Sequence, residues 1–318
     1  MAENKRCSQD RTGRSEPKEP GLPSEDGDAK SNQAVTALQR LGKRLEQRAL
    51  EVPAPPHSAK VIKLPLWPEA VRGVPNVALR SALFGAVRRG PRRLLTRELI
   101  TSVDGCEIRY TGGRLDQADL DVWEHCLHLA RQDGVGCRIH FTAYSFLKHI
   151  QRATGGRNVE WLKNALARLA SAVVEIQHGS RAYFGPMIQH GGRDDETGQY
   201  CIEINPAIVA LYGPDGWSRV DWEQRKQLKK QPLAQWLHGF YTSHAEPYAY
   251  KVETLHRLAG SETKQLKHFR ADLKDALRHL AEVTGWIWQI DDRDLVHLQK
   301  TPSLPRNQPQ PTPKPGSS

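Results

Sequence analysis

The stretch GSETKQLKHFRADLKDALRHL, residues 260 to 280, interleaves basic and apolar side chains at the spacing of an α-helix. A helix turns about 100° per residue, so the apolar residues gather on one side of it. They are Leu266, Phe269, Leu273, Ala276, Leu277 and Leu280. The basic residues fall on the opposite side, which predicts a helix over residues 262–282 with one face for a core and the other for a negatively charged partner. Ser261 is the expected N-cap of this helix.

Composition divides the chain of 318 residues into tails and a folded part. Residues 1–59 hold ten Lys or Arg, nine Asp or Glu and no aromatic residue, and such a segment buries too little apolar surface to offset its conformational entropy. We expect a disordered tail there, with a short amphipathic helix over residues 33–50, and a second disordered tail in the Pro-rich residues 301–318. The N-terminal tail carries +1 of the total charge of +10, which leaves +9 on residues 60–318.

The charge of the folded part indicates a polyanionic partner, most often nucleic acid, although a merely soluble basic protein is the alternative. No run of 18 apolar residues is present, and the N-terminal residues lack the apolar core of a secretion signal. We therefore expect a cytoplasmic protein without a membrane partner. The five cysteines are scattered and form no C-x-x-C pair, which argues against a disulfide framework and against a structural zinc site.

The expected elements follow one plan twice along the folded part. Residues 73–214 predict the order helix, strand, helix, turn, helix and hairpin, which is the order of a winged helix. The sequence YGPDGW, at 212–217, marks a boundary because it suits neither a helix nor a strand. Residues 215–300 repeat the plan with the quoted helix and a hairpin. We predict an α+β fold of two tandem winged-helix domains, 73–214 and 215–300, after a linker at residues 60–72.

The second helix of a helix-turn-helix enters the major groove of DNA, where each base pair shows a different pattern of donors and acceptors. In the second domain the residues expected to face the groove or its rims are Thr263, Lys264, Lys267, His268, Arg270 and Lys274. Two acidic residues, Asp272 and Asp275, interrupt the exposed face further along, so base reading should concentrate in the first two turns. An ordinary surface helix with solvated lysines is the alternative.

The first domain offers a weaker counterpart in the helix expected over residues 158–171. Its candidate DNA contacts are Arg157, Lys163, Asn164 and Arg168. A dimer interface or a plain surface is an equal alternative for this face. The basic clusters RRGPRR, at 88–93, and RKQLKK, at 225–230, are candidates for phosphate contact or simply solvated loops.

Several long stretches resemble one known family. They are LWPEAVRGVPNVALRSALF, GCEIRYTGGRLDQADLDVWEHCLHLAR and HGFYTSHAEPYAYKVETLHRLAGSETKQLKHFR, and they are similar, in the same order, to the TrfA family of plasmid replication initiators. The resemblance covers roughly residues 61 to 299. It implies tandem winged-helix domains that bind repeated sites, called iterons, in double-stranded origin DNA. It also implies origin opening, recruitment of the host initiator and replicative helicase, and exchange between dimers and DNA-binding monomers, with recognition helices at 158–171 and 262–280.

The resemblance gives a second meaning to IKLPLW, at 62–67. Family members carry a short peptide before the first domain that docks in the sliding clamp, and Leu64, Leu66 and Trp67 fit its apolar anchors. Lys63 stands where the family has Gln, and a Lys side chain donates hydrogen bonds but accepts none. Packing of this strip onto the first domain is the alternative.

Catalysis is not expected, and neither a cofactor nor a metal is predicted. The sequence holds no His-hydrophobic-His triplet of a nicking initiator and no G-x-x-x-x-G-K-S/T loop. Asp116, Asp119 and Asp121 suit the start of a helix without any metal. The rival function is a winged-helix transcriptional repressor of its own gene, which would use the same DNA face, and a third reading is a protein that binds only other proteins.

Overall fold

The computed structural model describes residues 62–87, 90–103, 105–179, 181–194 and 196–301, with the backbone alone at Arg181. The predicted N-terminal tail with its helix at 33–50, the start of the linker, and residues 302–318 lie outside the described residues. The described part mixes helices with antiparallel sheets, so the expected α and β class is confirmed at that level. No helix within the described ranges is long and apolar enough to cross a bilayer.

The helices alternate with short strands along the whole described part. The helices are α1 (Asn76–Leu79), α2 (Gln117–Asp133), α3 (Ala143–His149), α4 (Gly156–Ser171), a 3₁₀ turn (Pro206–Tyr212), α5 (Trp222–Gln227), α6 (Pro232–Thr242), α7 (Val252–Leu258) and α8 (Leu266–Thr284). The strands are β1 (Val71–Pro75), β2 (Phe84–Gly85), β3 (Leu94–Ile100), β4 (Glu107–Gly113), β5 (Leu115–Asp116), β6 (Arg138–Thr142), β7 (Val173–His178), β8 (Arg181–Gly185), β9 (Ile188–Arg193), β10 (Gln199–Ile204), β11 (Trp217–Asp221), β12 (Tyr250–Lys251), β13 (Ile287–Ile290) and β14 (Leu295–Gln299).

Helix α2 is the centre of a first hydrophobic core. The Asp116 side chain accepts hydrogen bonds from the backbone of Ala118 and Asp119, both at 2.9 Å, and Asp119 accepts from the backbone of Asp116 in return. This capping box satisfies amides that the first turn of a helix leaves unpaired. Trp123 and Leu127 in the middle of α2 are fully buried, so the helix is surrounded by protein on most sides.

Two three-stranded sheets have the same order of strands. In the first, β6 pairs with β10, and β10 pairs with β9; in the second, β12 pairs with β14, and β14 pairs with β13. In each case a strand precedes two helices and then pairs with the last strand of a hairpin. Between α4 and β9 lies an additional hairpin, β7–β8, which extends β3 and β4 into a four-stranded sheet.

A second hydrophobic core lies under helix α8. Phe269, Leu273 and Leu277 of α8 are at most 1% exposed and pack with the apolar faces of α6 and α7. Val220 and Trp222, beyond the predicted boundary at 214, belong to the first core, while Leu228 belongs to the second. Val220 lies in strand β11 and Trp222 follows this strand directly. Strand β11 pairs with β1 along its whole length, which places both residues in the first core. The division into domains stays a prediction.

Several element bounds differ from the expectations. Helix α8 begins at Leu266 with Gln265 as N-cap, so the prediction of Ser261 as N-cap is wrong. The Ser261 hydroxyl instead accepts from the backbone of Thr263 at 3.3 Å, within a turn that runs to Gln265. The first helix, α1, is a single turn that ends at Leu79. Strands β3 and β11 were not expected, since neither shows a clean alternation of apolar and polar residues.

The two cores meet at a buried guanidinium. Arg225 of α5 is fully buried, and its Nε lies 2.7 Å from Asp121 Oδ1 and 3.2 Å from Glu124 Oε2, both on α2. Its terminal nitrogens reach the side-chain oxygen of Gln117 at 3.2 Å and the carbonyl of Gln235 on α6 at 3.4 Å. A buried charge is tolerated only when it is paired and hydrogen-bonded. The arrangement therefore joins α2, α5 and α6 at one point.

Glu124 makes the stability of this junction depend on pH. Burial raises the pKa of its carboxyl to about 7, partly offset by Arg225. Because the folded state holds this proton more tightly than the unfolded state, the associated stability is present below about pH 4.5 and is lost as pH rises through about 7.

We therefore expect Glu124→Gln, which cannot ionise, to remove this dependence. The free energy of unfolding of the unsubstituted protein, relative to that of the variant, should fall by about 3 kcal/mol between about pH 4.5 and 8. Urea unfolding across this range measures the difference. Parallel pH curves for the two proteins would contradict the assignment.

Candidate nucleic-acid interface

The exposed face of α8 carries the cations that the sequence predicted for it. Because its apolar face is buried in the second core, the opposite face points to solvent, and Lys264, Lys267, His268 and Lys274 are all exposed. Lys264 and Lys267 form no ion pair with another described residue. These four side chains lie along the first turns of the helix and the turn before it, where cations can reach phosphates or base edges.

The turn before α8 is fixed by contacts from two sides. His256 of α7 hydrogen-bonds the carbonyl oxygen of Thr263 through Nε2 at 2.8 Å, and its ring meets that of Phe269 edge to face. From the first core, the Arg114 guanidinium donates to the carbonyl of Gly260. Gly260 has φ +58°, and a Cβ there would lie 2.6 Å from Arg114 Nη2, so glycine is needed at this position. Thr263 itself is half-buried, which places it at the support of the face and not at its centre.

Arg270 lies at the edge of the predicted DNA face. Its guanidinium forms an ion pair with Asp294, in the turn between β13 and β14, and its side chain is 39% exposed. The sequence placed Arg270 among the groove-facing cations, because the pattern of one helix does not reveal a partner that lies in another element. Toward the C-terminus of α8, Arg278 pairs with Asp275 at 2.9 Å. The cations available to a ligand are thus concentrated in the early turns.

The predicted residues of α4 separate into different environments. Asn164 and Arg157 are exposed, while Lys163 is half-exposed and lies 3.3 Å from Glu160 one turn earlier. Arg168 points inward, where its Nη2 lies 2.6 Å from Oδ1 of the fully buried Asp119. Arg168 therefore neutralises the capping box of α2, and Asn164 is the exposed polar group at the middle of the helix.

We expect Arg168→Ala to destabilise the fold by about 3 kcal/mol, because it leaves the Asp119 carboxylate buried without its closest cation. Lys163→Ala on the same helix is the matched control, since it removes a cation whose partner, Glu160, is 62% exposed, and should change stability by less than about 0.5 kcal/mol. Urea unfolding at neutral pH compares the two. Equal stability of both variants would mean that Arg168 is not structural.

Most described cations of the two basic clusters pair with other residues of the chain. In RRGPRR, Arg92 pairs with Asp116 and Arg93 with Glu98, while Arg88 and Arg89 lie outside the described residues. In RKQLKK, Arg225 is the buried junction residue. Lys226 pairs with Glu223 at 2.5 Å, and Lys229 donates to the carbonyl of Ile150 at 3.0 Å; Lys230 is exposed.

The strip at 62–67 packs on the first core. Leu64 and Trp67 are 3% and 4% exposed, whereas Leu66 is 74% exposed. The Trp67 ring stacks on Tyr212, and its Nε1 donates to His128 Nδ1 at 3.1 Å. Burial lowers the pKa of His128 to about 4, so its imidazole is neutral at pH 7 and Nδ1 can accept this hydrogen bond. The alternative in which the strip packs on the first domain therefore describes this conformation, and clamp binding stays a prediction.

Close packing makes Trp67 sensitive to substitution. A Cβ on Gly73 would lie 2.5 Å from the Trp67 ring, which indicates how tightly the ring is enclosed. We expect Trp67→Ala to reduce the free energy of unfolding by about 3–5 kcal/mol. Leu66→Ala, at the neighbouring but exposed position of the same strip, should be neutral within about 0.5 kcal/mol. The comparison requires only denaturant unfolding, and similar costs for both would contradict the observed packing.

Two further groups with shifted pKa values, His238 and Cys126, are buried inside the protein. Burial lowers the pKa of His238 to about 3 and raises the pKa of the Cys126 thiol. Among the residues that the structure describes, no group of three or more His, Cys, Asp or Glu is arranged to hold a metal ion.

Solved structures with partial similarity have low sequence identity to this chain. One contains domains 2 and 3 of RctB, with a TM-score of 0.47 and 13% identity, covering 68% of this chain and 92% of that one. Another is the Pi initiator protein in complex with iteron DNA, with a TM-score of 0.43 and 9% identity, covering 56% of this chain and 88% of that one.

A match by sequence covers more of the chain, at higher identity, than these matches by structure. The plasmid replication initiator protein TrfA of Escherichia coli is 29% identical over 245 residues, which are 74% of this chain and 63% of that protein. The chain thus spans somewhat less than two-thirds of the length of this curated relative. The sequence model of the TrfA protein family matches residues 57–300, the whole of both hydrophobic cores. The chain belongs to the TrfA family.

Proposed function

We propose that this protein is a plasmid replication initiator that binds repeated sites, or iterons, in the double-stranded DNA of its origin. The observation that carries the proposal is the exposed cationic face at the start of α8. Family membership supports the same reading, because the curated relative is named as a plasmid replication initiator. In this function the chain binds DNA and promotes assembly, and no bond is made or broken by its own residues.

The two units are proposed to be tandem winged-helix domains. The repeated order of strands, with a leading strand, two helices and a hairpin whose last strand returns to the leading one, is the arrangement expected for such a domain. The cores suggest one adjustment to the predicted boundary at 214. Since Val220 and Trp222 pack in the first core and Leu228 in the second, the division is better placed within α5.

Helix α8 has the dimensions for major-groove recognition. Its 19 residues extend about 28 Å at 1.5 Å per residue, and the major groove admits a helix, whereas the minor groove is too narrow. With the first turns in the groove, Lys267 and His268 would face base edges, and Lys264 and Lys274 would lie nearer the phosphates. In the first domain, α4 offers Asn164, whose amide can both donate to and accept from an adenine edge.

We expect Lys267→Ala to weaken binding to the cognate site by about 1–3 kcal/mol without loss of stability. Arg278→Ala is the matched control, because it removes the same charge from the same helix at a position already paired with Asp275. Fluorescence anisotropy with a labelled duplex at several salt concentrations measures both. Indistinguishable affinities of the two variants would remove α8 from the recognition role.

Further partners belong to the same proposal. We propose recruitment of the host initiator and helicase after opening of the origin, and exchange between dimers and DNA-binding monomers. Docking of Leu64 and Trp67 on a sliding clamp would require the strip at 62–67 to leave the first core, because both side chains are buried there. The test for this partner is a pull-down by purified clamp. It compares the unsubstituted chain with the double variant that combines Leu66→Ala and Trp67→Ala.

The initiator and the repressor can be separated in a cell. The protein is supplied in trans to a plasmid that carries only the origin, beside a reporter under the promoter of its own gene. Replication of that plasmid supports the proposal, whereas repression of the reporter without replication would favour the transcriptional alternative.

A further inference from the structure

The hairpin tip beside the recognition helix is acidic. The turn between β13 and β14 has the sequence DDRD, residues 291–294. The corresponding turn between β9 and β10 lies in RDDETG, residues 193–198. Each tip therefore carries three carboxylates and one guanidinium, in a chain whose net charge is +10. A hairpin that touches phosphates would be expected to carry cations instead.

Hydrogen bonds hold one carboxylate of each tip, Asp291 and Asp194, in its charged form. Asp291 accepts from the backbone of Arg293 at 2.9 Å and of Leu295 at 2.8 Å, and His297 lies 3.0 Å from its other oxygen. The hydrogen bond with His297 lowers the pKa of Asp291. Asp194 in the other turn has a lowered pKa because backbone amides donate to it. Both tips are thus anionic at neutral pH.

Asp294 connects the acidic tip to the recognition helix. Its carboxylate pairs with Arg270, and its backbone is fixed independently, since its carbonyl accepts from Val252 at 2.9 Å and its amide donates to Asp291 at 3.1 Å. Asp294 has φ +64°, a conformation that Asn and Asp adopt more readily than other residues with a side chain. The pairing is therefore a side-chain interaction that can be changed without disturbing the turn.

We propose that Asp294 is a specificity-determining residue that withholds Arg270 from DNA phosphates. This inference rests on the proposed function. An Arg at the edge of a groove-binding helix would otherwise add a contact to any duplex, whatever its sequence, because phosphate contacts carry no sequence information. By pairing with Arg270 and repelling the backbone, Asp294 reduces non-specific binding more than specific binding. The ratio of specific to non-specific affinity determines selectivity.

Asp292 provides a matched control for the charge. It is exposed in the same turn and makes no ion pair within the described part of the chain. Asp294→Asn and Asp292→Asn each remove one negative charge from the tip, but only the first frees Arg270. Arg270→Ala combined with Asp294→Asn removes both partners and restores the original net charge.

Binding to a duplex of unrelated sequence and to the cognate origin site, measured against salt concentration, tests the proposal. We expect Asp294→Asn to raise the affinity for unrelated duplex about threefold to tenfold near 100 mM salt, and to steepen the salt dependence by about one counterion. The affinity ratio of cognate to unrelated DNA should fall. Asp292→Asn should change non-specific affinity by about twofold or less, and the double variant should return to the slope of the unsubstituted protein.

Two outcomes would overturn the proposal. One is an Asp294→Asn slope equal to that of Asp292→Asn. The other is a loss of non-specific affinity in Arg270→Ala as large as the loss in Lys267→Ala, because removing a withheld cation cannot have this effect. This second comparison does not require Asp294→Asn to fold. If the unsubstituted protein binds no duplex at any salt concentration, the proposed function fails instead, and the two failures are distinguished.

Discussion

The fold depends on the burial of one guanidinium, on α5, that pairs with groups from two other helices, α2 and α6. Removing Arg225 from water is costly, and the cost is offset because Asp121 supplies opposite charge at 2.7 Å, while Glu124 at 3.2 Å and the side-chain oxygen of Gln117 at 3.2 Å supply acceptors. These partners lie on α2, whereas Arg225 lies on α5 and also reaches α6 through the carbonyl of Gln235. A change in the relative position of the helices would break several contacts together. The two cores are therefore held in one arrangement.

That constraint extends to the surface that would meet DNA. The backbone amide of Ala86, from the first unit, donates to the carbonyl of Ala259 at 2.7 Å, and Arg114 donates to Gly260 in the same turn. The start of α8 is thus set by the first core as well as by its own helix pair. Preorganisation of this kind would lower the entropy lost on binding, because α8 does not have to be ordered by a ligand.

The sequence predicted which face of α8 is buried, but not what the polar side chains of the helices touch. Periodicity alone placed Phe269 and Leu273 inward, and both are buried. The same periodicity placed Arg168 and Arg270 outward, and each has a partner far away in the chain: Asp119 for the first and Asp294 for the second. An angular position on a helix says nothing about the element that packs beside it. The pairing of β1 with β11 escaped for the same reason, since it depends on contacts between distant segments. The sequence offered the packing of the strip with Trp67 only as one of two alternatives.

Net charge is consequently a poor measure of how many cations a ligand can use. The cations that the structure commits to internal partners include Arg72, Arg92, Arg168, Arg225 and Arg270. Carboxylates at the hairpin tips offset part of the exposed charge. Under the proposed function, Lys264 and Lys267 would be among the exposed cations that attract DNA. Phosphate contacts of this kind carry no sequence information, so selectivity would have to arise from the shape and hydrogen bonds of α8 in the groove, as an initiator that finds a few repeated sites among many unrelated ones requires.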